Sequence, residues 1–258
     1  MRVIILAAGE GKRLRPYTND KPKCLVSING APLIYRQLSI LENLGYEVIL
    51  VAGWQSYQLK QFNVSVIENP KFSTTNMVST LYCARKSLKG RLVISYGDIA
   101  YSPKILRSLD NCGADIATVV DLNWKEYWSK RSDNPLEDLE TMRINDKNLI
   151  TQLGAKPLSL DEIQGQYIGL TYLSSLGSQI LMTTLQDCHR IGLVNKKPFE
   201  AAYLTDLIQE IITRGYEVKA VKTEQLWIEV DTVEDLKSKV TVSRLDHIDT
   251  EITVTLEK

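Results

Sequence analysis

Apolar and polar positions along the chain fall into short blocks with two distinct periods. Residues 3–7 (VIILA) form an unbroken apolar run that leads into glycines. That is the pattern of a strand buried on both faces, as in a parallel sheet. Residues 32–44 set Leu33, Ile34, Leu38, Leu41 and Leu44 at helical spacing and stop at Gly45, which predicts a helix with a glycine terminus. The alternation continues, with strands expected at 47–52, 64–68, 91–96 and 114–121 and helices at 75–88 and 102–109. Strands alternating with helices through short glycine-bearing turns predict an α/β fold, a doubly wound and mostly parallel Rossmann-like sheet. Right-handed crossovers then set the loops after the strands along one edge. Gly9, Gly53, the Gly97-Asp98 pair and Asp121 are therefore expected to line a common crevice.

The pattern changes after Asp121. Residues 123–140 are polar, aromatic and charged, and short strand-like pieces follow at 142–144, 150–152 and 167–172. These read as a small antiparallel extension over the crevice. Further helices are expected at 178–192 and 199–215, strands at 217–221 and 226–230, and a helix from 233. Residues 248–256 alternate and read as an edge strand or tail. With no repeat, low-complexity tract or linker, residues 1–258 are expected to form a single domain with an insert at about 122–175.

Charge and cysteines narrow the function. The chain carries 31 Lys plus Arg and 31 Asp plus Glu, so nothing global draws it to nucleic acid or an anionic membrane. Cys24, Cys83, Cys112 and Cys188 form no C-x-x-C pair, which argues against a disulfide framework or a structural zinc. The N-terminal apolar run is short for a signal peptide, and no stretch approaches the roughly 20 apolar residues of a membrane span. The expectation is a cytoplasmic protein without membrane insertion.

The densest chemistry follows the first strand, in Leu6-Ala7-Ala8-Gly9-Glu10-Gly11-Lys12-Arg13-Leu14. Glycines there let backbone amides approach a phosphate closely. Leu14 stands where a dinucleotide fingerprint needs a third glycine, which disfavours a dehydrogenase, and the spacing is not that of a Walker A loop. Arg13 can fork onto two phosphate oxygens and Lys23 can act as a point charge. Asp98 and Asp231 each end a predicted strand, where a carboxylate points into the ligand crevice. Together with phosphate oxygens and water they would suit Mg²⁺. Each alone reads equally well as a helix cap.

The run L-A-A-G-E-G-K-R-L-R-P-Y-T followed by K-P-K-C-L-V resembles the signature of the nucleoside-triphosphate transferases that make NDP-sugars and CDP-alcohols. The match is near complete from Leu6 to Val26. The resemblance implies that Leu6 to Gly11 wrap the triphosphate, Arg13 holds the leaving pyrophosphate and Lys23 contacts the reacting phosphates. It also implies Mg²⁺ as cofactor on Asp98 and Asp231, with Gly97 beside them, and in-line attack needing no general base. Cys24 is disfavoured as a nucleophile because it has no candidate partner base, the only histidines being His189 and His247.

Gly53 begins the segment that frames the base in this family, and Asn76 or Ser79 could read a base edge. The stretch T-N-M-V at 75–78 resembles the bacterial phosphocholine, phosphonate and phosphoglutamine cytidylyltransferases, which implies CTP. A phosphorylated acceptor is expected on the insert, where Trp124, Tyr127, Trp128, Lys130, Arg131, Asn134, Glu137 and Glu140 offer contacts, with Tyr167 and Glu229 nearby. Aromatics suit a quaternary ammonium, whereas Lys130 and Arg131 suit an anionic, amino-acid-like acceptor. The W-S-K-R and Q-Y-I-G-L segments resemble the phosphoglutamine-type enzymes, which ranks that acceptor first and phosphocholine second. The resemblance further implies a role in capsule or lipid decoration at the cell surface, and a homodimer. An NDP-sugar synthase and a catalytically silent nucleotide-sensing subunit are the competing expectations.

Overall fold

The first apolar run forms β1 (Arg2–Ala7), and its alternate residues feed two different cores. Val3, Ile5 and Ala7 face one, and Ile4 and Leu6 the other. A strand covered on both faces has no polar side to show, so its sequence is a plain apolar run. The computed structural model describes residues 1–131, 136 and 139–256, with only the backbone of Lys130 and Arg131. After β1 come the hairpin strands β2 (Ser27–Ile28) and β3 (Ala31–Pro32), α1 (Leu33–Asn43), β4 (Glu47–Ala52) and β5 (Ser65–Glu68). Next are α2 (Met77–Cys83), β6 (Leu92–Tyr96), β7 (Ile99–Tyr101), α3 (Pro103–Asp110), β8 (Ile116–Asp121) and α4 (Trp124–Arg131). The middle of the chain holds β9 (Met142–Ile144), β10 (Ile150–Leu153), β11 (Gln166–Leu173) and α5 (Ser175–Ile191). A short pair, β12 (Leu193–Val194) and β13 (Lys197–Pro198), precedes α6 (Leu204–Thr213), β14 (Lys219–Thr223), β15 (Trp227–Glu229), α7 (Val233–Lys237) and α8 (Lys239–Leu256).

Seven strands make the central sheet in the order β14-β8-β11-β6-β1-β4-β5. Neighbours run parallel except at β11, which is antiparallel to both β6 and β8. Helices α1, α3 and α8 cover one face, and α2, α5 and α6 the other. Outside the central sheet, β9 pairs antiparallel with β10, giving the small extension expected in the insert.

Two expectations fail. Residues 167–172 belong to the central sheet, as part of β11, and not to the extension. Almost every β11 residue is buried, so its pattern reveals neither direction nor sheet membership. Residues 248–256 are the second half of helix α8, not an edge strand. Their β-branched residues favour extended chain locally, but Leu245, Ile248 and Ile252 form one stripe buried in the core shared with α1 and α3. Packing of that stripe overrides the local preference.

The pairing that matters most for the site is small. β7 and β15 run antiparallel, with Glu229 opposite Ile99, and the Val230 amide donates to the Asp98 carbonyl at 3.1 Å. This clip joins the turn after β6 to the end of β15, more than 100 residues later in the chain. Because α8 packs directly on β15 and β7, it braces the clip. Leu245→Ala is expected to destabilise the protein by about 2–5 kcal/mol through the cavity left at a fully buried position. Urea unfolding checks this, and a change below about 0.5 kcal/mol would show that α8 is not part of the cooperative core.

Candidate active site

A cleft of about 620 Å³ opens at the carboxyl ends of β1 and β6. Its floor is the loop after β1. Gly11 sits there in the left-handed region at φ 62°, with the Lys23 side chain packed against it. A Cβ at Gly11 would stand 3.1 Å from Cβ of Lys23, so both the backbone turn and the close approach favour glycine. The Thr18 hydroxyl donates to the Gly11 carbonyl at 2.8 Å and fixes the turn from behind. Among the described residues, the amides of Gly9, Glu10 and Gly11 donate to no acceptor. Successive open amides of this kind form a concavity suited to an anion.

Lys23 reaches into the cleft from a single helical turn at 23–25. Its Nζ lies 2.5 Å from Asp98 Oδ2 and also bonds Asp231 Oδ1. Arg13, more exposed, contacts Asp231 Oδ1 at 3.3 Å. Carboxylate oxygens of Asp98, Glu229 and Asp231 lie within 4.8 Å of one another. Burial alone would disfavour the Lys23 ammonium, but the attraction of Asp98, Asp231 and Glu229 prevails and raises its pKa above the ordinary lysine value. Three carboxylates this close repel one another, so they need a cation among them. Oδ1 of Asp98 is buried and has no hydrogen-bond partner among the described residues. An oxygen-only cluster with an orphaned carboxylate oxygen fits a hard divalent cation.

Cys24 is buried beside this cluster, and burial together with Asp98 pushes its thiol up to about 12. A thiol so protonated is no nucleophile. Asp235 accepts from the amides of Asp231 and Thr232 at 2.8 and 2.9 Å, and thereby caps α7. Asp231 itself is left facing the cleft.

The opposite end of the cleft is built by β11, α6 and the insert. Tyr96 and Tyr167 stand edge to face with centroids 5.7 Å apart. Trp128, Glu140, Gln166, Tyr203 and Thr205 continue the wall.

Several expected residues land elsewhere. Gly53 packs behind the loop, where a Cβ would meet the Ala8 carbonyl oxygen at 2.5 Å, and it does not line the cleft. Ser79 is also outside the lining, since it lies on a different face of α2, whereas Thr75, Asn76, Met77 and Thr80 face in. Asn76 carries the cap of α2, with Oδ1 accepting from the Met77 amide at 2.9 Å. Asp121 is buried away from the crevice and accepts from Trp227 Nε1 at 2.8 Å. Trp124 fills a small core with Trp128, Leu139 and Ile163 and does not line the cleft. Glu229, expected on the acceptor side, joins the carboxylate cluster instead. The side chains of Lys130 and Arg131, and all of Asn134 and Glu137, lie outside the described residues. Sequence reading missed Tyr96, Gln166, Tyr203 and Thr205. Two signals were available: Tyr96 sits one position before the Gly97-Asp98 pair, and Gln166 opens the Q-Y-I-G-L segment.

Replacing Lys23 by Met is expected to destabilise the metal-free protein by up to about 3–5 kcal/mol, because carboxylates are left without their cation. Adding Mn²⁺ should restore most of that loss. Unfolding with chelator and with Mn²⁺ reads both, and an unchanged midpoint in chelator would show that Lys23 is not the counter-ion of the cluster.

Residues 3–152 match the MobA-like NTP transferase domain. The CTP:phosphoglutamine cytidylyltransferase of Campylobacter jejuni is 37% identical over 252 residues, covering 93% of this chain and 99% of that protein. The choline-phosphate cytidylyltransferase of Streptococcus pneumoniae is 36% identical over 99 residues, 36% of this chain and 43% of that one. Among solved structures, the CTP:phosphocholine cytidylyltransferase from Streptococcus pneumoniae superposes with a TM-score of 0.74 at 21% identity, covering 93% of this chain and 97% of that one. The inositol-1-phosphate CTP transferase from T. maritima gives 0.73 at 23% identity over 98% and 96%. Both structures are alike in fold.

Proposed function

This chain belongs to the MobA-like NTP transferase family and is a nucleotidyltransferase, and we propose that it moves CMP from CTP to a small phosphorylated acceptor with release of pyrophosphate. The observation that carries this reading is the meeting of Lys23 and Arg13 with the Asp98–Glu229–Asp231 cluster, on the same cleft as the open amides of Gly9 to Gly11. Those amides cradle the triphosphate, and Arg13 holds the departing pyrophosphate. Lys23 neutralises charge at the α-phosphate as it develops. An oxygen of the acceptor phosphate attacks the α-phosphorus, a new P–O bond forms, and the bond to the β-phosphate oxygen breaks with its electron pair. The acceptor phosphate is already ionised near neutral pH, so no protein base is needed. Asp98 and Asp231, with Glu229 beside them, would hold Mg²⁺, which when bound supplies positive charge at the phosphates.

CTP is supported by the similarity of the whole chain to a phosphoglutamine cytidylyltransferase. The same similarity supports an amino-acid-like acceptor, seated between the carboxylate cluster and the wall of Tyr96, Tyr167 and Trp128. In this reading the chain is one domain, and the segment from about 122 supplies the acceptor side. We place its work in the cytoplasm, as a homodimer that provides CDP-activated groups for cell-surface polysaccharide or lipid. Four free cysteines suit a reducing compartment. No helix among the described residues is long and apolar enough to cross a membrane.

Pyrophosphate release with Mg²⁺ tests the reaction, using five triphosphates against phosphoglutamine, 2-aminoethylphosphonate, phosphocholine and glucose 1-phosphate. Turnover is expected with CTP and a non-sugar acceptor, and turnover only with the sugar phosphate would assign an NDP-sugar synthase instead. Asp98→Asn and Asp231→Asn should each abolish turnover while the circular dichroism spectrum is kept, and normal activity in either would remove the metal role. Lys23→Ala should lower kcat by about 100-fold or more. CTP binding should fall much less in that variant, and the reverse pattern would make Lys23 a docking residue only.

A further inference from the structure

The far wall of the cleft carries two side chains with acceptor oxygens, Glu140 and Gln166. Glu140 Oε1 accepts one bond, from the Thr205 hydroxyl at 3.2 Å. The second carboxylate oxygen has no hydrogen-bond partner among the described residues. Gln166 donates its amide nitrogen to the carbonyls of Glu140 and Gly165 at 2.9 and 3.3 Å. Both partners are carbonyl oxygens, so the amide orientation is forced, and Oε1 is the end of Gln166 left without a partner there. Lys197, the one described cation whose field reaches Glu140, is engaged by Asp206 at 2.8 Å. Burial raises the Glu140 carboxyl above its ordinary value, with the Thr205 hydrogen bond working against it. A half-buried carboxylate with no ion pair among the described residues favours a bound cation.

Tyr96 connects this wall to the reaction centre. It lines the same cleft as Glu140, Glu229 and Asp98, stands edge to face with Tyr167, and feels the charges of those three carboxylates. An acceptor whose phosphate lies at the carboxylate cluster therefore presents its far end to Glu140 across one aromatic pair.

We propose that Glu140 and Gln166 form an ammonium-reading wall, selecting phosphoryl acceptors that carry a primary amino group over those that carry a quaternary ammonium. This rests on the transfer reading above. A primary ammonium offers three N–H donors to the Glu140 carboxylate and the Gln166 oxygen. A trimethylated nitrogen has none, and it would cover both acceptors with methyl groups, leaving them desolvated and unpaired. Sites built to bond an N–H reject the analogue that lacks it far more strongly than an apolar pocket rejects an extra methyl group. The aromatic rings oppose this choice, since cation–π attraction welcomes a quaternary ammonium. The hydrogen-bonding wall prevails because the Glu140 charge attracts both ammonium ions, whereas only the primary one also pairs its N–H groups with the Glu140 and Gln166 oxygens.

The test compares 2-aminoethyl phosphate with choline phosphate, which differ only in three N-methyl groups. Binding of each is measured by calorimetry in Mg²⁺ with a non-hydrolysable α,β-methylene analogue of CTP. The wild-type protein should bind the primary amine at least about tenfold more tightly. Glu140→Gln should bring the two within about twofold, with affinity for the CTP analogue kept as the check on folding. Equal or tighter binding of choline phosphate by the wild type would overturn the proposal, as would an unchanged preference in Glu140→Gln. If that variant loses the CTP analogue, Gln166→Met carries the test, and an unreduced preference there overturns the proposal. Pyrophosphate release is measured separately. Preference without release refutes the transfer reading and leaves the wall standing, whereas release without preference refutes the wall alone.

Discussion

Asp98, Glu229 and Asp231 bring three carboxylates within 4.8 Å of one another, and Lys23 stands among them. Left alone, such a cluster would repel itself, and a lysine from a different part of the chain, with Arg13 on Asp231, offsets part of that repulsion. The rest of the site depends on that balance. The lysine arrives on the turn that also packs against Gly11, so the glycine loop and the acidic cluster are held by one side chain. A divalent cation and a triphosphate would add two plus charges and about four minus charges to the same space. Lys23 is then free to turn from the carboxylates toward phosphate.

The sheet supplies the frame. β1 and β6 are adjacent and parallel, so the glycine loop and the Gly97-Asp98 turn leave the sheet side by side. A Cβ at Gly97 would stand 2.9 Å from the Leu6 carbonyl oxygen, which shows how closely the two exits pass. The short β7–β15 clip then brings Glu229 and Asp231 to Asp98 from the far end of the chain. Because α8 braces the clip, a helix with no side chain in the cleft still sets where two of its three carboxylates stand.

The two ends of the cleft have opposite chemistry. The loop end offers open amides and cations to a polyanion, and the β11 end offers rings and hydrogen-bond acceptors to a group with donors. A substrate with a phosphate at one end and an amino group at the other would satisfy both. β11 runs against its neighbours, and this reversal is what lets Gln166 and Tyr167, at its start, face the same crevice as the ends of β1 and β6.

What the sequence determined by itself was local and periodic. The buried parallel strands were legible because a strand covered on both faces must be apolar throughout. The loop after β1 was legible as a candidate phosphate cradle through the resemblance of Leu6 to Val26 to the nucleoside-triphosphate transferases, since two glycines and nearby basic residues alone read as well as a solvated turn. Tertiary structure alone decided whatever depends on distant partners. Asp98 and Asp121 both end strands, yet one faces the cleft and the other bonds Trp227, since the pairing of neighbouring elements sets which way each points. Glu229 joins the acidic cluster through its register opposite Ile99. Residues 248–256 became helix because a core was present to receive Ile248 and Ile252. Glu140 drew notice only as one of several polar residues in the insert. Its place at the end of the cleft follows from a hydrogen bond between its carbonyl and Gln166, 26 residues away. Periodicity carries information about a residue's own element, whereas charge balance and register belong to pairs of elements, and only the folded chain brings those pairs together.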